Sequence, residues 1–401
     1  MKKLLFSTFL TAIAMPALAQ NDTVTTEHRP NEHTVACLEA PTRDCAFTSA
    51  LQTVIGEEFG IERAKVLIGV ARAMIETGQQ DQAIQTLMLA LDEARSVRLT
   101  LVTQEKITVI APLLARAGDG AGALALAEEL QNDGIRDTVL GKIAEEAISA
   151  GKLADARVAL GQMTNQVKAF WQELSLLPRA PREALVTVDP ATLEARVREV
   201  NVPDQRYQGV IQLAIIADRM GRPGDRNAYL AEAEELFSSI VGISSRATIA
   251  ARRARSMFDA GMDEAFVQES YEMAMLHGGR LRNNVALVDF AKKVGVIEAA
   301  RGDLETALSR LEYFIAVDEK AQYLASLRAG SNQSIFAAEM RELLNEVEEL
   351  QGAYERDLVR LTLLEGALGN SDMYLARHVV EAMEDDDNQA LALALMAPLL
   401  D

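Results

Sequence analysis

The sequence predicts an all-α fold, an α-α superhelix or solenoid of about eight helical hairpins, on three observations. Hydrophobic residues make up 49% of the 401, mostly Ala and Leu, while aromatics reach only 5%. That balance suits helices packed on helices rather than a β sandwich or barrel. Apolar residues recur at helical spacing, as in Phe47, Leu51, Val54 and Ile55. Finally, a small residue seven before a glycine and an alanine about five after it recur along the chain, most clearly as Ala144, Gly151 and Ala156.

Residues 1–19 read as a secretory signal peptide: Lys2 and Lys3, an apolar run from Leu4 to Met15, then Ala17-Leu18-Ala19 before Gln20. The apolar run is shorter than the roughly 20 residues that span a bilayer, so cleavage after Ala19 is expected over an anchor. Residues 20–43 are expected to form a disordered leader. It carries Cys37, and with Cys45 just beyond it these are the chain's two cysteines. An exported chain pairs them, pinning the N-terminal segment. His28 and His33 lie nearby, but their spacing fits no zinc pattern and Pro30 breaks the helix that such a site needs.

Residues 44–165 hold N-terminal helical repeats. The helix from Ile61 to Thr77 ends at Gly78, and its partner runs from Gln82 to Ala94. Gly118, Gly151, Gly221, Gly261 and Gly302 mark further turns, with weaker ones near Gly330 and Gly369. Glycine just past a helix end supplies the left-handed conformation of a sharp reversal. Pro112 should kink the helix that leads to Gly118. The small residues seven before the glycines, Ala71, Ala111, Ala144, Ala214, Ala254 and Gly295, let the second helix approach closely. The same packing role is expected of Ala83, Ala123, Ala156, Ala265, Ala307, Ala228 and Ala376 after the turns.

This arrangement resembles the tetratricopeptide repeat family over about residues 59–165 and 206–385. The family's early Trp and late Pro are absent, so tetratricopeptide proper and a related helical-hairpin repeat both fit. The resemblance implies a concave groove, lined by the first helix of each pair, that holds a segment of another protein. Its groove-facing offsets fall on the basic residues Lys65, Arg72, Arg116, Arg219, Arg255, Lys292 and Arg356. They also fall on Glu76, Glu105, Glu145, Asp218, Asp259 and Asp289, with Ile68 and Ile215 as apolar contacts.

Residues 166–205 break the pattern with Pro178, Pro181, Pro190 and Pro203 and the chain's one tryptophan, Trp171. Short helices at Val167–Leu177 and Pro190–Val200 are expected, the second capped by Asp189. Phe170 and Trp171 either fill core in an eroded repeat or face a partner at a break. Residues 206–401 hold C-terminal repeats and a cap. Leu343, Leu344, Val347 and Leu350 mark a charged helix over Glu339–Glu355, and Glu381, Glu384 and Asp385 to Asp387 read as a solvated helix terminus. Gln389 to Leu400 is expected to cap the array's exposed end.

The net charge is −19, and −21 once 1–19 are removed with their two lysines, which argues against nucleic acid and anionic lipid as partners. No phosphate loop, nucleophile elbow or paired-cysteine metal pattern occurs, and His277 and His378 stand in different units. The sequence therefore points to a non-catalytic scaffold or adaptor for a protein or peptide partner, without cofactor, metal or membrane insertion. Its expected address is the bacterial periplasm, or secretion. The alternative is a helical protein that binds or cleaves cell-wall glycan, with Trp171 stacking on sugar. End-to-end self-assembly is a third reading.

Overall fold

Every regular element is helical in the computed structural model, which describes residues 32–56 and 60–400. The signal segment and His28 lie outside these residues. Part of the expected leader is ordered: Glu32–Glu39 is a helix (α1), and Cys37 and Cys45 form a disulfide that ties it to α2, Arg43–Gly56.

Helix pairs then follow in chain order. They are α3 (Gly60–Glu76) with α4 (Gln80–Ser96), α5 (Thr100–Ala117) with α6 (Gly120–Glu128), and α7 (Asp133–Ser149) with α8 (Leu153–Gly161). The proline-rich window contributes α9 (Gln166–Leu176), a one-turn α10 (Arg182–Leu185) and α11 (Pro190–Arg198). Next come α12 (Pro203–Arg219) with α13 (Pro223–Ser239), α14 (Ile243–Asp259) with α15 (Glu264–Gly278), and α16 (Asn284–Ala300) with α17 (Leu304–Ser309). The last pairs are α18 (Val317–Ser326) with α19 (Gln333–Val347) and α20 (Ala353–Gly369) with α21 (Met373–Glu381), followed by α22 (Asp386–Met396).

The turns between paired helices share one geometry. Gly78, Gly118, Gly151, Gly221, Gly261 and Gly302 all have φ between 64° and 105°. Each donates its N–H to the carbonyl three residues back, and the next residue reaches five back. At Gly151 these bonds are 2.9 Å to Ile148 and 2.8 Å to Lys152's acceptor, Ala147. They satisfy carbonyls that a helix end leaves unpaired. In the last pair the turn falls later than expected. Gly369 is still helical, and Ser371 takes the left-handed conformation with the same two bonds.

Packing follows register more closely than distance from the glycine. Ala83, Ala123, Ala156, Ala307 and Ala376 are each the fourth residue of their helix, and all are fully buried. Ala228 and Ala265 are exposed, contrary to the sequence reading, because the fourth residues of α13 and α15 are Arg226 and Val267. Arg226 pairs with Asp218 at 2.8 Å and lies over the Phe266 ring. Pro112 leaves α5 a single helix but removes the donor that would bond Thr108's carbonyl. Asp189 caps α11 with Pro190 at its first position, as expected. The charged run 339–355 is divided between α19 and α20 rather than forming one helix.

Consecutive units are linked by polar residues at the start of the first helices. The fifth residue of α7, Asp137, accepts from the amides of Thr164 and Asn165 at 2.7 and 2.9 Å, just before α9. Asp357, fifth in α20, does the same for Glu384 and Asp385 before α22. Gln104, fifth in α5, bonds the backbone at Glu129 and Gln131. Within a unit, the fourth residues Arg63, Arg206 and Lys320 pair with Glu93, Glu232 and Glu346 of the second helix, and Arg356 pairs with Glu384 just past α21. The acidic C-terminal stretch is thus no solvated terminus. Asp387 is buried, and Glu384 joins a network with Arg356, Arg360 and Asp357, the last two being 1% and 0% exposed.

The array does not end on an exposed cap. α22 packs against α3 and against α2, so a tenth unit is assembled from the last helix of the chain and one of its first. Ala390, Leu393 and Ala394 of α22 are fully buried. Arg43 of α2 donates to the carbonyls of Ala397 and Leu400 at 3.3 and 3.0 Å, and Lys65 of α3 donates to Asn388. Gly69 makes this approach possible, since a Cβ there would sit 1.8 Å from Leu391 Cδ1. The result is a closed helical solenoid. Among the described residues no helix is long and apolar enough to cross a membrane.

Two outcomes follow for stability. Gly151→Ala should lower the unfolding free energy by about 1 kcal/mol, because a Cβ disfavours left-handed backbone, while Gly120→Ala at a helical position should not; urea denaturation of both variants checks this. Hydrogen bonds from Arg356 first, and then from Arg360, hold the Glu384 carboxyl down to about 2 against an ordinary 4.5. Its contribution is therefore present above about pH 4.5 and lost as pH falls toward about 2, and Glu384→Gln should remove that part of the acid dependence of stability.

Candidate functional site: a basic cavity on the inner wall at the ring closure

The first helix of each pair faces inward, and the residue nine before the turn residue looks out from that wall. In six units this residue is Gly69, Val109, Lys142, Gln212, Arg252 or Thr362, and all six line one of two cavities. The larger cavity, about 650 Å³, is bounded by α3, α5, α7, α20 and α22. Its existence depends on closure, because α22 contributes Leu391 and Leu395 between α20 and α3. The floor is apolar, with Ile68, Val109, Pro112, Leu113, Leu358 and Leu361.

Over this floor stand five cations, Lys65, Arg72, Lys106, Arg116 and Lys142, against three carboxylates, Glu145, Glu146 and Glu365. Among the lining residues the cations thus outnumber the carboxylates in a chain of net charge −19, with Glu62, Glu76 and Glu105 within 4 Å of Lys65, Arg116 and Lys106 just outside the lining. Arg72 pairs with Glu365 at 2.9 Å, and Arg116 lies 3.5 Å from Glu76 and 3.9 Å from Glu146. Lys65 also lies 5.6 Å from the centre of the Tyr354 ring. Lys106 contacts Glu105 at 3.4 Å with most of its side chain covered. Lys142 is exposed and makes no ion pair among the described residues. Burial raises the pKa of Glu146 above the ordinary carboxylate value, with Arg116 opposing the shift. Glu146 thus gives up its negative charge more readily on acidification than an ordinary carboxylate. Chemically it offers charge-assisted hydrogen bonds to carboxylates beside an apolar surface.

Of the seven cations read from the sequence, the structure brings three into this cavity: Lys65, Arg72 and Arg116. The others serve elsewhere. Arg219 donates to the carbonyls of Ala180 and Ala260, Arg255 pairs with Asp259 along α14, Lys292 lies 5.7 Å from the Phe314 ring centre, and Arg356 holds Glu384. Ile215 is fully buried and lines no groove, whereas Ile68 does. Sequence reasoning missed Lys106 and Lys142. The signal that finds Lys142 is the position nine before the turn, which the borrowed offsets skip.

The second cavity, about 400 Å³, is bounded by α9, α12 and α14. Phe170 is buried with the Arg196 guanidinium 4.0 Å from its ring centre, so it fills core. Its neighbour Trp171 is half-buried and lines this cavity. Among the described residues no group of His, Cys, Asp and Glu is placed to hold a metal ion. His277 sits in the last turn of α15 beside Phe237, and His378 is exposed on α21.

No protein-family model matches the chain, and no curated protein matches it. Among solved structures, it is similar to a "circular tandem repeat protein with novel repeat topology and enhanced subunit contact surfaces". The two share 13% identity with a TM-score of 0.22, covering 92% of this chain and 93% of that one. The ring closure described above rests on this chain's own contacts.

The balance at Glu146 is testable. Arg116→Gln should raise its pKa further, because the guanidinium's attraction is what limits the effect of burial; carboxyl-carbon NMR titration of both proteins reads the shift.

Proposed function

We propose that this chain is an exported, non-catalytic binding protein, a scaffold or adaptor that holds a carboxylate-bearing segment of a protein partner against its inner wall. The observation that supports this most is the cluster of five cations over an apolar floor within an acidic protein. The acid excess elsewhere repels other anionic surfaces and leaves this cavity as the local attractor. An acidic peptide or a chain's C-terminus supplies the carboxylates, and its apolar side chains meet Ile68, Leu358 and Leu361. The Cys37–Cys45 disulfide supports an oxidising compartment, and we place the protein in a bacterial envelope. The left-handed turns and buried small residues support kinship with the tetratricopeptide class of helical-hairpin repeats.

Lys142 is the residue to change, since it is exposed and makes no ion pair among the described residues. Fluorescence anisotropy with a labelled acidic peptide bearing a free C-terminus should show salt-sensitive binding, weakened on the order of tenfold or more by Lys142→Glu. Capture from an envelope extract should lose the same partners in that variant. Equal binding and an unchanged set of partners would overturn the assignment.

A further inference from the structure

We infer that the cavity between α9, α12 and α14 is a separate site for an acidic sugar residue, a pyranose that carries a carboxylate. The Trp171 side chain supplies its wall. Trp171 is held against the backbone of α12 at Gly209, where a Cβ would lie 3.3 Å from its Cη2. A half-buried indole lining a cavity is the kind of side chain whose electron-rich face takes the weakly positive C–H groups of a sugar ring.

The polar lining suits hydroxyl groups. Gln208 and Gln212 project from α12, and Gln212 Nε2 lies 3.4 Å from Ser256 Oγ of α14. Amides and hydroxyls both donate and accept, which is what vicinal sugar hydroxyls require. Among the described residues no Asp or Glu lines the cavity, whereas two arginines do. Their roles differ. Arg253 is 2% exposed, pairs with Glu234 and bonds the Tyr207 hydroxyl at 3.5 Å, so its charge is met within the protein. Arg252 is exposed and makes no ion pair among the described residues, so its guanidinium is the one available to a ligand carboxylate. A volume of about 400 Å³ falls in the range of small-molecule sites.

This site shares no helix with the basic cavity, so the two readings stand or fall separately. Trp171 is the chain's only tryptophan, and its emission therefore reports on this cavity alone. The experiment titrates the full chain with digalacturonic acid and with its neutral counterpart, digalactose, in the wild type, Arg252→Gln and Lys142→Glu. The expected result is a saturable change in Trp171 emission with the acidic disaccharide, and binding about tenfold weaker for the neutral one. Arg252→Gln should abolish that preference, and Lys142→Glu should preserve it. The proposal is overturned by no saturable response to digalacturonic acid, by equal affinity for the two sugars, or by a preference that survives in Arg252→Gln.

Discussion

Docking of α22 between α2 and α3 is the contact on which the rest of the architecture depends. An open array of helical hairpins leaves an apolar face at each end and a curvature free to vary with every interface. Here the last helix of the chain completes a unit whose partner helix came near its beginning, so each end covers the other. Closure has a local cause in Gly69, which lets Leu391 approach α3, and in Arg43, which takes up the carbonyls at the end of the chain. It also shapes a cavity. The basic cavity draws side chains from the first three inner helices and the last two, and it is assembled only when those helices are adjacent.

The same constraint explains how an acidic chain presents a basic surface. Arginines and lysines at the fourth positions of the first helices are spent on glutamates of neighbouring segments, as in Arg63 with Glu93 and Arg206 with Glu232. Such pairs join the two helices of one unit and engage those cations within the protein. Cations farther along the first helices line the inner wall, and there Lys142 makes no ion pair among the described residues. One framework therefore supports two cavities of different character. Lys142 at the position nine before the turn makes one cationic, while Gln212 and Arg252 at that position give the other an amide and a guanidinium.

Much of the fold was legible because its signals are local. A glycine that must adopt positive φ, followed by two backbone bonds, sets each reversal without help from distant residues, and Gly78 to Gly302 were placed correctly on that basis. Where the turn uses Ser371 the same reasoning went astray by two residues, because a non-glycine residue can take the left-handed conformation at a modest energetic penalty. The site was only partly legible. Offsets counted from the glycine select Lys65, Arg72 and Arg116, which line the basic cavity, and also Arg219 and Arg356, which line neither cavity and bind the protein's own carbonyls and carboxylates. Spacing along a helix says which face a residue occupies, and it does not say what already waits there.

The sequence by itself determined the helical class, the hairpin repeat and the positions of most turns and most buried alanines, since these depend on backbone conformation and side-chain size within a few tens of residues. Tertiary structure alone decided that the array closes, which cations remain available, and that Trp171 faces a cavity while Phe170 fills core. Those outcomes join residues such as Lys65 and Asn388, more than 300 positions apart. No local pattern records the curvature that brings them together, because that curvature is the sum of all the interfaces between them.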